Sequence, residues 1–343
     1  MSENYDAIIV VSFGGPEGPD DVMPFLENVL RGRNVPRERM LEVSKHYQQF
    51  GGVSPINRQN RELIVALEKE LAANNVDLPV YFGNRNWHPL LPATFEEMKA
   101  DGVKRALAFF TSAFSSYSGC RQYRENVIAA REQIGEGAPE IDKLRMFYNH
   151  PGFIGPISNN IKGSLAKIPA ERLATTKLIF TAHSIPLSMA TGCNYVDQLT
   201  EATRLVAELS DHDNYELVYQ SRSGPPTQPW LEPDVCDYIR EIHEKEGVTD
   251  VIVVPIGFIS DHMEVLFDLD TEVKDVCEEL RVGFTRAMTI GTHPDFIAAI
   301  RELIEERIGK REEKRFLGTD GPCHDVCPVD CCTYEQPKRL AHR

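Results

Sequence analysis

A stretch in the first half of the chain aligns without gaps on one in the second half, and this internal likeness limits the fold more than any other feature. DGVKRALAFFTSAFSS, beginning at Asp101, lies over EGVTDVIVVPIGFISD, beginning at Glu246, so that Gly102 meets Gly247, Val103 meets Val248 and Ser115 meets Ser260. DAIIVVSFGGP, from Asp6, lies similarly over TKLIFTAHSIP, from Thr176, and sets Phe13 opposite His183. In each case an apolar run gives way to a turn of small residues, as where a buried strand ends. Strand patterns at 7–12, 80–83, 105–110, 144–148, 177–181, 216–220, 251–254 and 284–289 alternate with amphipathic segments at 57–73, 123–134, 197–209, 232–245 and 294–308. That alternation predicts an α/β fold of two similar doubly wound domains, each a parallel sheet covered by helices. The domains are expected at 1–160 and 161–318, with a cysteine-rich tail at 319–343.

Ligands of such sheets sit outside the carboxyl ends of the strands. The rule collects residues 12–15, 111–123, 183–184 and 260–264, which two facing domains would bring to one cleft. After the strand pattern at 251–254 come Asp261, Glu264, Asp268 and Glu272, spaced to form one row on a helix, with Lys274 the first base beyond them. The row is either a solvated face capped by Asp261 or a path for a hard cation, since like charges at this spacing are mildly destabilising and need some reward. His183 follows an apolar strand across the same cleft. A histidine with carboxylates suits binding of a divalent metal or removal of a proton from a nitrogen acid.

The remaining loops are less specific. SFGGPEGP, from Ser12, lacks the spacing of a phosphate-binding loop, so Gly14 and Gly15 are read as letting a flat ligand or another backbone come close. RGRNVPRER, with Arg31 and Arg33, is either a solvated helix end or a receiver of substrate carboxylates. Tyr47 and Ser54 lie in HYQQFGGVSPIN, where Ser54 caps a helix or meets a ligand carboxylate. Trp230, between prolines in QSRSGPPTQPWLEPD, reads as a cleft wall or a domain-closing plug.

A net charge of −15 argues against nucleic acid and against an anionic membrane surface. The first residues carry acids where a signal peptide needs bases, and no apolar stretch approaches the ~20 residues of a spanning helix, so a cytoplasmic protein is expected. Cys120, Cys193, Cys236 and Cys277 are scattered, whereas Cys323, Cys327, Cys331 and Cys332 crowd together. In a cytosolic chain such crowding points to metal rather than to disulfides.

Taken together, VVSFGGPE, HYQQFGGVSPIN, FTAHSIP, QSRSGPPTQPWLEPD and VPIGFISDHMEVLFDLDTE resemble, in this order, the motifs of the ferrochelatases. The resemblance runs to about residue 308 and implies two flavodoxin-like domains around a porphyrin cleft, in which ferrous iron replaces two pyrrole protons. It implies His183 as the active-site base or metal holder and Glu264 as its carboxylate partner. Asp261 and His262 match the family's Asp-His pair, and Asp268 and Glu272 continue a row carrying metal or protons. Tyr47, Ser54 and Tyr123 match positions that hold propionates, with Arg31 and Arg33 as further candidates and Phe13 lining the substrate. Phe13 stands where many members acting on coproporphyrin III carry tyrosine, which removes an axial ligand there. NRNW, from Asn84, and YSGCRQY, from Tyr117, resemble actinobacterial-type members, and with them coproporphyrin III is the expected substrate. The alternatives are protoporphyrin IX, another metal such as cobalt, or a non-catalytic tetrapyrrole carrier, and haem-pathway enzymes are the expected protein partners. The tail resembles those of members holding a [2Fe–2S] cluster, whose best-known pattern implies three ligands from the tail and one from earlier in the chain. The tail itself offers Cys323, Cys327, Cys331 and Cys332 as the expected ligands, Cys120 or Cys193 are the alternatives for one of them, and zinc with His324 is the competitor.

Overall fold

The computed structural model describes residues 4–32, 35–225 and 227–334. The first half comprises β1 (Ala7–Ser12), α1 (Val22–Val29), α2 (Arg37–Gln49), α3 (Ile56–Ala73), β2 (Val80–Asn84), α4 (Leu91–Ala100), β3 (Arg105–Phe110), α5 (Gln122–Ile134) and β4 (Glu140–Lys143). After α6 (Pro151–Leu165) come β5 (Thr176–His183), α7 (Leu187–Ala190), α8 (Tyr195–Ser210), β6 (Tyr215–Gln220), α9 (Val235–Glu246) and β7 (Asp250–Val254). A π-helical segment, Val265–Val273, then runs into α10 (Lys274–Leu280), followed by β8 (Gly283–Arg286) and α11 (Pro294–Arg307).

The two sheets are parallel throughout and share one strand order, β2-β1-β3-β4 and β6-β5-β7-β8. The aligned stretches of sequence are therefore equivalent strands, β1 with β5 and β3 with β7. β1 and β7 are buried along their whole length, as central strands covered on both faces must be. Local chemistry sets the helix ends: Asp234 Oδ1 accepts from the Cys236 N–H at 2.9 Å to start α9, and Gly247, at φ +65°, ends it.

The segment 144–148, which carries a strand pattern, leaves the sheet: β4 lies just before it, at Glu140–Lys143. Its apolar residues are used between the halves instead. The Phe147 ring lies 5.3 Å from Phe109, 5.5 Å from Phe153 and 5.7 Å from Phe296, while Arg145 turns to Glu306 of α11. β8 likewise stops at Arg286, short of 289, because Arg286 turns to the acids described below.

One hydrophobic core joins the sheets, with Val10 and Leu107 from the first, Phe180 and Ile252 from the second, and Phe153 and Phe296 between them. α6 packs on α8, and α11 crosses back to pack on α6 and α3. No helix among the described residues is long and apolar enough to cross a membrane.

Arg145 and Glu306 form a two-pronged ion pair at 2.7 and 2.9 Å, with both side chains 1% exposed. Breaking a buried pair leaves an uncompensated charge. Glu306→Ala is expected to cost about 3–5 kcal/mol in urea unfolding, whereas Arg145→Met with Glu306→Leu should recover most of the loss. A single mutant as stable as the parent would contradict this.

Candidate active site

His183 ends β5, and the loop after the neighbouring strand β7 delivers Glu264, so sheet pairing brings the two side chains together. His183 Nε2 lies 3.6 Å from Glu264 Oε1. The Ser184 carbonyl accepts a hydrogen bond from His183 Nδ1, which fixes that proton and leaves Nε2 to face the carboxylate. The Tyr195 hydroxyl donates to the His183 carbonyl at 3.0 Å. Both side chains are half-buried, 34% and 45% exposed.

Charge divides the pair sharply. Burial alone would lower the His183 pKa, but the Glu264 carboxylate beside it, the Ser184 carbonyl and Asp268 outweigh it and raise the value to about 9. Burial alone would raise Glu264, but His183 and then His262 draw it down to about 2. At neutral pH the pair is thus imidazolium and carboxylate. His262 is lowered, chiefly by burial, and its Nδ1 accepts from the Glu264 N–H at 3.2 Å, so it stays neutral.

The π-helical segment carries the acids outward. π-Helical turns are rare and concentrate at functional sites. Asp268 accepts hydrogen bonds from Gln220 Nε2, at 3.2 Å, and from the Ser221 hydroxyl. Ser221 holds a left-handed backbone, φ +61°, uncommon for any residue but glycine. Burial, then the Glu264 charge, raise Asp268 to about 7 against those bonds. Glu272 is exposed at the outer end, where burial and the charges of Asp234 and Asp275 raise its pKa. The acids thus step from interior to surface.

Asp261 does not belong to that row and caps no helix. Its carboxylate meets Arg286 at 3.2 Å and the Thr289 hydroxyl at 3.1 Å, and Arg286 also binds Asp270 at 2.5 Å. A hollow of about 330 Å³ lies beside Asp261, lined by Gln59, Asn160 and His293, and a second of about 250 Å³ lies beside Ser184 and Asp234.

Opposite the pair stand residues of the first half. Burial and the charges of Glu264 and Asp268 raise the Tyr47 hydroxyl pKa, which puts that side chain within electrostatic reach of both acids. Phe13 is 37% exposed, and Phe13, Tyr47 and Trp87 all pack edge-on to Phe25. Arg85 lies 5.7 Å from the Phe13 ring centre and 4.4 Å from that of Tyr123, and donates to Asn126 Oδ1 at 2.7 Å. Sequence patterns gave no sign of Arg85, because its aromatic partners are distant in the chain. Tyr123 is buried under it, and Ser54 is buried against Gly15 rather than capping α3. Gly14, at φ +81°, leaves no room for a Cβ beside Asn84, so it is another part of the chain that comes close there. Arg31 is exposed just beyond α1, and Arg33 lies outside the described residues. Trp230 bridges to Pro186 and pins the loop after β6 beside His183.

The ferrochelatase family profile matches residues 5–308. This chain belongs to the ferrochelatase family. It is 60% identical over 335 residues to a ferrochelatase of Rhodopirellula baltica, covering 98% of this chain and 95% of that one. It is 50% identical to a coproporphyrin III ferrochelatase of Streptomyces coelicolor, covering 98% and 96%, and 47% identical to one of Mycolicibacterium smegmatis, covering 94% and 99%. Among solved structures, SirB from Bacillus subtilis with Fe3+ shares the fold, with a TM-score of 0.56 at 13% identity over 91% of this chain and 99% of that one. The chain is therefore a porphyrin metal chelatase, with ferrous iron and a porphyrin as substrates.

This ferrochelatase's tail runs back over both halves. The Leu317 N–H donates to the Asn149 carbonyl at 2.8 Å, Arg121 holds the carbonyls of Val329 and Cys331 at 2.7 and 3.1 Å, and Gln198 donates to Cys323 Sγ at 3.6 Å. Ligand atoms of His324, Cys327 and Cys331 all lie within 4.8 Å of one another, and Cys331 Sγ is 3.5 Å from Cys332 Sγ. Cys120 and Cys193 approach the same group. Such a soft donor set fits an iron–sulfur cluster or zinc.

Removing the Ser221 hydroxyl deletes a hydrogen bond that opposes the raised Asp268 pKa. In Ser221→Ala the carboxyl band that titrates near 7, followed by difference infrared spectroscopy, should move to higher pH; an unmoved midpoint would contradict the assignment.

Proposed function

We propose that this ferrochelatase inserts ferrous iron into coproporphyrin III, giving coprohaem III and two protons, with His183 and Glu264 as the reacting pair. The observation that carries this is the approach of His183 Nε2 to Glu264 Oε1, 3.6 Å apart and open to a cleft that Tyr47 borders from the other half. Insertion needs a base facing the pyrrole nitrogens and a route for the protons they lose. The imidazolium passes its Nε2 proton to the acid row or to solvent when a divalent cation nears it, and Nε2 is then free to accept from a pyrrole N–H. Glu264 holds the opposite charge close by and steadies both the imidazolium and the metal. Asp268, poised near pH 7, passes protons to Glu272 at the surface or draws metal inward by the same acids.

Phe13 and Tyr47 would flank the flat ring, and Arg85 offers positive charge to a propionate. Arg31 serves the outer propionates, while Tyr123 and Ser54 support this wall from beneath. The names of the Streptomyces and Mycolicibacterium relatives support coproporphyrin III. In the tail, Cys323, Cys327, Cys331 and Cys332 are proposed to hold a [2Fe–2S] cluster, which would supply a redox-sensitive clasp outside the reacting site. A cytoplasmic setting agrees with this substrate.

His183→Ala should lower kcat/KM for ferrous insertion by ~10²–10⁴-fold while porphyrin binding, read from fluorescence quenching, persists. Unchanged turnover would overturn the assignment. In the parent, kcat/KM for the metal, measured anaerobically, should climb as pH rises from 7 towards 9, because a raised histidine pKa keeps the proton on the imidazole below that value. Asp268→Asn removes a charge that helps hold the pKa up, so this limb should move to lower pH; a limb that stays in place would count against His183 as its source.

A further inference from the structure

We propose that Gln59 is a positioning residue for iron insertion: from the first half of the molecule it holds Asp261, and through Asp261 the loop that presents Glu264 to His183. The proposal rests on the reading of His183 and Glu264 as the reacting pair.

Between β7 and Glu264 the chain is neither helix nor strand at 255–262, so its path depends on what holds it from the side. Asp261 is one such point. The Arg286 guanidinium and the Thr289 hydroxyl donate to its Oδ1 at 3.2 and 3.1 Å, and both belong to the second half, as Asp261 does. Gln59, in the first turn of α3, reaches it from the other half. Its Oε1 accepts from the Asp261 N–H at 2.8 Å, and its Nε2 donates to Asp261 Oδ2 at 3.4 Å. A primary amide can meet a backbone donor and a carboxylate acceptor at once, and those two partners fix which end of the amide is which.

The same turn of α3 is anchored to the aromatic wall. Asn60, 1% exposed, donates to the Ser12 hydroxyl at 2.8 Å, and the Thr111 hydroxyl donates to that oxygen at 3.0 Å. Ser12 ends β1 and immediately precedes Phe13. On the other side, Arg286 carries the connection from Asp261 to Asp270, in the π-helical segment that bears Asp268. Polar contacts thus run from the strand end beside Phe13, through Asn60 and Gln59, to the loop and the segment that carry the acids.

The two ends of that chain have different tasks. Phe13, Tyr47 and Arg85, which would grip the ring, belong to the first half, whereas His183 and Glu264 belong to the second. Freeing Asp261 from Gln59 leaves the grip intact and lets the reacting pair drift from the ring's centre. A misplacement of about 1 Å costs a catalysed step ~10²-fold.

The test is anaerobic ferrous insertion by the full-length protein into whichever of coproporphyrin III and protoporphyrin IX turns over faster. The turnover number is counted per porphyrin-binding site, and porphyrin affinity is read from fluorescence quenching. Gln59→Leu should lower kcat by ~10–10²-fold and leave porphyrin affinity within ~2-fold. Glu62→Gln, which lines the same hollow but pairs with Arg58 rather than Asp261, should keep the parental kcat.

Exchanging the two partners tests the contact itself. Asp261→Asn sets one amide N–H against another, and Gln59→Glu sets two carboxylates face to face, so each alone should be impaired. Combined, they restore the match: the carboxylate at 59 accepts from the backbone N–H and from the side-chain amide at 261, while Oδ1 stays with Arg286 and Thr289. The double variant should recover to within ~3-fold of the parental kcat. A Gln59→Leu protein with parental kcat, a double variant no better than the worse single one, or a kcat loss matched by an equal loss of porphyrin affinity would each overturn the proposal. His183→Ala, measured alongside, separates the two readings. Parental turnover there overturns the reacting pair, and this proposal with it; a defect there beside an unaffected Gln59→Leu overturns this proposal alone.

Discussion

The contact between His183 and Glu264 exists because β5 and β7 are neighbours in a parallel sheet and both deliver their loops at the same edge. Everything around the site serves that contact. The Ser184 carbonyl fixes the imidazole, Tyr195 fixes the His183 backbone, and Gln220 donates both to the Glu264 carbonyl and to Asp268. The charges are unequal by position: the innermost acid is ionised by its histidine neighbours, the next is held near neutrality by burial and by the first, and the last meets solvent. A graded row of this kind suits the proposed passage of a proton or a cation better than a uniformly exposed helix face would.

The second sheet supplies this machinery and the first supplies the facing wall. Both sheets arise from one pattern of sequence, yet their equivalent strand ends differ where it matters, with Phe13 in the place of His183. An aromatic wall opposite a charged one suits a flat apolar ring whose reactive nitrogens lie at its centre and whose carboxylates lie at its rim. The shared core, Arg145 with Glu306, and the return of α11 to α3 hold the two walls in register.

Much of this was legible in the residues. The repeat foretold two equal sheets because strand order follows from the same alternation in each half, and the strand-end rule collected His183 and Glu264 before any coordinates. Where the reading failed, the missing information was long-range. Asp261 looked like a cap and the head of the acid row because Arg286, which binds it, lies on another strand. Residues 144–148 looked like a strand because their apolar alternation serves a junction rather than a sheet. The π-helical winding, the placing of Arg85 over Tyr123 and the meeting of Cys120 with Cys327 depend on packing that no local pattern encodes.

The central claim is that one porphyrin lies between the two walls with its nitrogens at His183. A crystal structure of the protein with coproporphyrin III tests it most directly. The account predicts the ring between Phe13 and His183, with Nε2 turned to the macrocycle's centre and propionates towards Arg85 and Arg31. A ring seated instead in the hollow beside Asp261 and His293, away from His183, would contradict it.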